Sequence, residues 1–443
     1  MTEQAAHHWI YSPDSAVEAA VAGILHKYPH RYTGGVARTL ELLQRLDNPH
    51  LRLPPVFHVA GTNGKGSTLA FLQAAFQAGG LSVHKFTSPH LIRFEERFVL
   101  NGQMISGPLL LALIAECDAA AGGMPISFFE FFTVLMFLAA ARYRADALLL
   151  ETGLGGTLDA TNVVERSVAI LTRISFDHMH ILGETLEKIA DNKAGIMRSG
   201  CPVIVAPQPD ASVMCVFEDK AVLLSAPLFR CGQEWQVLQV EGGFHYEGGT
   251  FNGTLPSPAL QGAHQILNAG AAIAALEQGG FDSLLKPDIL ALAMQNVSWP
   301  GRMQRLTAGP MIPLLPAGWE VWLDGAHNDS GAEVVAAQAR AWGHDKPLHL
   351  ITMMKGNKET DRFYEVLAPC VRTVLVLDCD IGAPMMVTDM LCEELRRSGI
   401  SEPVVAKDLE SAIAALASQY ASPQRILIAG SLYLAGYVLR SHQ

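Results

Sequence analysis

The run Gly61-Thr62-Asn63-Gly64-Lys65-Gly66-Ser67-Thr68 carries the strongest chemical signal in the chain. Glycines let consecutive backbone N–H groups curl round an anion, a following helix adds the positive end of its dipole, and a lysine adds a point charge for outer phosphates. The run therefore reads as a phosphate-binding P-loop. It departs from the pattern G-x-x-x-x-G-K-[ST], because Gly66 separates Lys65 from Ser67 and the upstream glycine lies too close. Glu151 and Asp159, in ETGLGGTLDATN, stand at and just after the end of an apolar run. Beside a phosphate loop, a carboxylate there is well placed for Mg²⁺, a hard cation that takes oxygen ligands.

Other candidates are weaker by local pattern. Asp177-His178-Met179-His180 holds a His-x-His pair, but no third soft ligand stands nearby for zinc, so His180 reads as a surface or core residue. Lys193 lies in a helical pattern, GETLEKIADNKAGIMRSG, where most lysines are solvated. Asn268, Arg302 and Asp324 are ordinary by composition, although Asp324 again follows a strand pattern.

Such groups need strand ends to hold them. Short apolar runs at 55–61, 145–153, 167–175, 202–207, 320–326, 348–354, 373–379 and 425–431 read as buried parallel strands. Between them lie helical patterns such as 67–80, stopped by Gly79 and Gly80, and 330–342. This alternation implies doubly wound α/β architecture. Residues 231–262 are Gly-rich with short alternating runs, which predicts a small antiparallel β excursion. Pro and Gly cluster at Trp299-Pro300-Gly301 and again from Gly309 to Gly318, placing a boundary near residue 306. The expected arrangement is a P-loop-type ATP-binding domain over 1–306 with a β excursion, then a Rossmann-like α/β domain over 307–443.

Composition narrows the function classes. The 443 residues carry a net charge of −11, which argues against nucleic-acid binding by phosphate neutralisation. The longest strongly apolar run, Phe131 to Ala141, is too short to span a bilayer. The first residues lack a basic stretch followed by an apolar one, so no signal peptide is expected. Seven scattered cysteines with no C-x-x-C pair fit reduced thiols. A cytoplasmic, monomeric enzyme of small molecules is expected.

The ordered segments GTNGKGS (61–67), TSPHL (87–91), ETGLGGTLDATN (151–162), SFDHMHILG (175–183), KAGI (193–196), AHQILNA (263–269), WPGRMQ (299–304) and LDGAHN (323–328) resemble the folylpolyglutamate synthase/dihydrofolate synthase family of Mur ligases. The resemblance runs from about residue 30 to the C-terminus. It implies an ATP-dependent ligase that adds L-glutamate to dihydropteroate and to reduced folates through an acyl phosphate. Another Mur-type amino-acid ligase, a folylpolyglutamate synthase without the first activity, and a non-catalytic nucleotide-binding protein are the rivals.

Position by position, the resemblance implies that Gly64, Lys65, Gly66 and Ser67 hold ATP phosphates, with Asn268, Arg302 and Asp324 completing the ATP site. Ser88, Glu151 and His178 would be Mg²⁺ ligands, and Lys193 matches a lysine that becomes carbamylated. Lys65, Lys193 and His178 are thus the catalytic candidates. Thr33, Gly34, Gly35 and Val36, then Ser127, Phe128, Phe129 and Glu130, then Leu158, Asp159 and Ala160, match pterin-binding segments. An aromatic ring would cover the flat pterin while the Asp159 carboxylate accepts from its N–H groups. Two departures stand out: Asn192 replaces an acid before Lys193, and Ala37 replaces the acid of the early loop.

Overall fold

The computed structural model describes residues 10–29, 35–343, 345–355 and 361–441. The chain divides into two compact units, one of Ser12–Ala259 with Ala263–Trp299, the other holding Tyr11, Leu260–Gly262 and the chain from Pro300 on. The division at Trp299 precedes the boundary expected near 306. Its physical reason is that Gln304–Leu306 forms a strand of the second unit's own sheet.

In the first unit, β1 (Val56–Ala60), β2 (Val83–Phe86), β3 (Phe98–Leu100), β4 (Gln103–Met104), β5 (Ala147–Glu151), β6 (Val168–Leu171), β7 (Val203–Val205) and β8 (Leu228–Arg230) make one sheet. Their order is β4-β3-β2-β5-β1-β6-β7-β8. From β2 to β8 every pairing is parallel, and β3 and β4 add an antiparallel edge. Each residue of β1, β5 and β6 is buried, as parallel strands covered on both faces require. Because β1, β2, β5 and β6 run the same way, the segments that follow them open at one end of the sheet, where ligands of such folds collect. A separate antiparallel meander of β9 (Gln236–Val240), β10 (Gly243–Glu247) and β11 (Asn252–Pro256) is the predicted excursion.

Two helices matter for the site. Lys65–Ala78 follows the P-loop and ends at Gly79. Phe128–Arg142 starts with a capping box, in which the Ser127 hydroxyl accepts from the Glu130 N–H and the Glu130 carboxylate accepts from the Ser127 N–H at 2.6 Å. Its apolar run is almost wholly buried, so most of ISFFEFF is core.

The second unit is Rossmann-like. Strands β12 (Gln304–Leu306), β13 (Glu320–Leu323), β14 (Leu348–Thr352), β15 (Thr373–Leu377), β16 (Val404–Ala406) and β17 (Arg425–Ala429) pair in the order β12-β13-β17-β14-β15-β16. Only β12 is antiparallel to its neighbour. Asn328 caps the helix Asp329–Ala341, its side chain accepting from the Gly331 N–H at 2.9 Å. No described helix is long and apolar enough to cross a membrane.

Candidate active site

The glycines of the P-loop are demanded by their neighbours. A Cβ at Gly61 would lie 1.8 Å from the Thr172 hydroxyl, one at Gly64 2.7 Å from the Asn268 side-chain oxygen, and one at Gly66 2.5 Å from the Trp299 ring. Gly66, the departure from the P-loop pattern, is thus explained by Trp299, which fills the space a side chain would need. The same contacts bring Asn268 to the loop. Thr62 ties it to the segment after β6, its hydroxyl donating to the Ser175 carbonyl at 3.0 Å and accepting from the Ser175 N–H at 3.1 Å. No side chain caps the following helix, whose N-cap is Gly64 at φ +91°. The first N–H groups of a helix need partners from outside it, and an anion supplies them.

Charges gather behind the loop. The Lys65 ammonium donates to the carbonyls of Gly61 and Thr62 at 3.1 and 3.2 Å and lies 4.0 Å from the Glu151 carboxylate. Glu151, only 5% exposed at the end of β5, accepts from the Ser88 N–H at 3.2 Å, so Ser88 and Glu151 are brought together. Lys193 is buried rather than solvated. It shares the Gly61 carbonyl, donating at 2.8 Å. Burial first, then the Lys65 charge, pushes its pKa down to about 7, against the pull of Asp177 and Asp159. Its place beside Ile189, Ala190 and Ala194 on the buried face of the helix Leu186–Ala194 is the helical-phase signal that could have found it. His178 adopts a left-handed φ of +52°, unusual for a residue with a side chain, and is 42% exposed beside Asp177. His180 lies on the surface.

Two of the three segments matched to pterin binding, those holding Phe129 and Asp159, meet at Gly153. A Cβ there would lie 2.4 Å from the Phe129 ring, which also lies 5.9 Å from Phe86. Phe129 is the half-buried ring of its helix turn, whereas Phe128 is core, packed on Phe132 at 4.8 Å, and cannot touch a substrate. Glu130 is engaged by its capping box and by Arg38, whose guanidinium donates to both carboxylate oxygens at 2.7 and 3.3 Å. This pair brings the helix that starts after Gly35 and Val36 against Phe128–Arg142. Thr33 and Gly34 lie outside the described residues.

Asp159 is buried and bonded within its own loop. Its carboxylate accepts from the N–H groups of Gly153 and Leu154, each at 2.9 Å, and from the N–H and hydroxyl of Thr161. These four bonds fix the turn of the loop around the carboxylate. Ala160 is buried as well, while Leu158 is 41% exposed. Asn192 also serves this loop. Its side-chain oxygen accepts from the Gly156 N–H at 3.0 Å and its carbonyl from the Thr157 N–H at 2.8 Å, a role in which an amide does what an acid would.

Sequence patterns gave no role to Lys85 or Trp299. Lys85, on β2, donates to the Gln73 side chain at 2.7 Å and sits 4.8 Å above the Trp299 ring, with burial pushing its pKa down to about 8. In the second unit, Asp324 follows β13 and accepts from the N–H groups of Met303 and Ala326, both at 2.7 Å. Burial raises its pKa, opposed by the neighbouring Arg302 guanidinium.

A parallel α/β sheet with a P-loop at its carboxyl end defines a nucleotide-dependent enzyme. Residues 301–432 match the Mur ligase glutamate ligase domain. The chain is 31% identical to the dihydrofolate synthase/folylpolyglutamate synthase of Bacillus subtilis, over 90% of this chain and 93% of that protein. Its fold is similar to Escherichia coli FolC in complex with DHPP and ADP, with TM-score 0.84 and 27% identity over 97% of this chain and 98% of the other. It is equally similar to a bifunctional folylpolyglutamate synthase/dihydrofolate synthase of Yersinia pestis complexed with AMPPNP and Mn, with TM-score 0.83 and 29% identity over 97% and 99% of the two chains. The chain belongs to the folylpolyglutamate synthase/dihydrofolate synthase family and is an ATP-dependent ligase.

Proposed function

We propose that this ligase joins the carboxylate of a pteroyl substrate to the amino group of L-glutamate, acting on both dihydropteroate and reduced folates. The observation that carries it is the uncapped, glycine-cleared P-loop with Lys65 beside Glu151, at the same sheet end as the Phe129–Gly153 contact. A carboxylate is a poor acyl donor. Its oxygen therefore attacks the terminal phosphorus of ATP, the bond to the ADP oxygen breaks, and an acyl phosphate results. The glutamate amine then attacks the acyl carbon, phosphate leaves, and the amine loses a proton. Lys65 offsets charge on the transferring group, a step governed by positioning and electrostatics.

The donor set fits Mg²⁺ held jointly with a nucleotide. Among the described residues no three His, Cys, Asp or Glu side chains gather into a cage for a metal, whereas Mg²⁺ uses one or two protein oxygens, substrate phosphates and waters. Glu151, Ser88 and His178 would hold it, and when bound it supplies charge neutralisation at the phosphates. Lys193, with a pKa near 7, presents a neutral amine that can form an N–C bond with CO₂ and release a proton, giving a carbamate. A cytoplasmic setting is supported by the free state of all seven cysteines.

The test is ADP release with glutamate and either dihydropteroate or a reduced monoglutamyl folate. Turnover with both is expected. Failure of dihydropteroate alone would leave polyglutamylation, and failure of both with turnover of a UDP-sugar peptide would reassign the chain to a peptidoglycan-type ligase.

A further inference from the structure

We infer that His58, acting through the Thr161 hydroxyl, is a positioning residue for the substrate loop 153–162. The inference rests on the reading of that loop as part of the pteroyl site.

The chemistry fixes which way the chain of bonds runs. Thr161 has one hydroxyl proton, and it is directed to the Asp159 carboxylate, an acceptor already facing three N–H groups. The hydroxyl oxygen lies 2.9 Å from His58 Nε2. With its proton committed, the oxygen can only accept, so His58 must carry its proton on Nε2 and donate. Nδ1 is then a bare acceptor, and it is buried with no hydrogen-bond partner. An orphaned polar atom in the core is retained where the rest of the group is needed. Burial pushes the His58 pKa down to about 3, so the ring stays neutral and keeps this single donor at any working pH.

The strut connects the sheet to the loop. His58 sits in the middle of β1, paired with Leu150 of β5 and Ala169 of β6, and the P-loop begins three residues on at Gly61. At the loop's far end, Arg198 grips Asn162, donating to its carbonyl at 3.0 Å and its side-chain oxygen at 2.6 Å. The loop is thereby pinned to the sheet's central strand at one end and to the Lys193 helix region at the other. Leu158 is left exposed between the pins.

The experiment combines steady-state kinetics with hydrogen exchange of the 153–162 amides in the full chain. Thr161→Val and His58→Leu are expected to speed exchange at Gly153, Leu154 and Thr161 and to raise KM for dihydropteroate roughly three- to tenfold, the worth of one buried hydrogen bond. KM for ATP should stay as in the wild type. His58→Gln, which keeps an N–H donor at similar reach, should restore both readouts. Thr161→Val serves alone if His58→Leu does not fold. Wild-type exchange in Thr161→Val would overturn the strut. So would faster exchange with an unchanged KM for dihydropteroate, provided Leu158→Glu raises that KM. If Leu158→Glu leaves it unchanged, the pteroyl reading of the loop falls, and the exchange rates still decide the strut.

Discussion

The P-loop and the loop after β5 leave neighbouring parallel strands at the same sheet end, and both are rich in glycine, yet they use their polar groups in opposite ways. In the P-loop, the glycines are cleared by Thr172, Asn268 and Trp299, and the helix start has no side-chain cap. The Thr62 and Asn63 N–H groups bond to the Arg173 carbonyl, and it is the uncapped first N–H groups of the helix, with the Lys65 charge, that are left for a ligand. In the 153–162 loop, Asp159 and Thr161 bond within the loop, and Asn162 is held by Arg198. Here the polar side chains first fix the backbone that presents the site.

The contrast breaks most sharply at Lys65. If its charge is kept for the transferring phosphoryl group, Lys65→Ala should lower kcat by on the order of 10²–10³. Wild-type turnover in a single-turnover ADP-release assay would remove the phosphate role.

Lys193 sharpens the same contrast through pH. Its folded pKa of about 7 lies below the ordinary 10.5, so between those values the unfolded chain holds a proton that the folded chain has lost. Stability contributed here must rise with pH through that window, by up to about 1.4 kcal/mol per pH unit, and be flat below it. In CO₂-free buffer, the melting temperature of the wild type relative to Lys193→Met should climb from pH 7 to pH 9. Parallel curves would show that the amine is not desolvated in solution.

What the sequence made legible follows from how local each signal is. The P-loop and the strands around it are written in adjacent residues, as is the antiparallel meander within 231–262. Strand β2 was hidden because its residues, Val83-His84-Lys85-Phe86, interleave polar groups that tertiary partners satisfy: His84 bonds to the Tyr143 carbonyl and Lys85 to Gln73. The burial of Lys193 depends on which helix face packs. The bonding of Asp159 depends on a turn that returns four donors to one carboxylate, and no spacing rule contains that.

Metal dependence tests the carboxylate side of the P-loop. Glu151→Gln keeps the volume and loses the charge, so the half-saturating Mg²⁺ concentration should rise on the order of tenfold. His178→Ala should move it less, because that side chain is 42% exposed. An unchanged value in both variants would put the metal elsewhere.

The smallest expected effect separates a substrate contact from core packing within one helix turn. Phe132 is fully buried among Phe94, Phe98, Phe128 and Phe131, so Phe132→Ala should cost roughly 3–5 kcal/mol of stability and leave substrate KM values alone in whatever enzyme remains folded. Phe129 is half-buried, set against the backbone of Gly153. Phe129→Ala should therefore lower the melting temperature less than Phe132→Ala. It should raise KM for dihydropteroate a few-fold, about the 0.5–1.5 kcal/mol of one aromatic contact. A monoglutamyl folate has further groups by which to be held, so its KM should move less. Equal losses of both activities together with a fall in melting temperature matching that of Phe132→Ala would make Phe129 a core residue. The substrate loop would then be left without its aromatic wall.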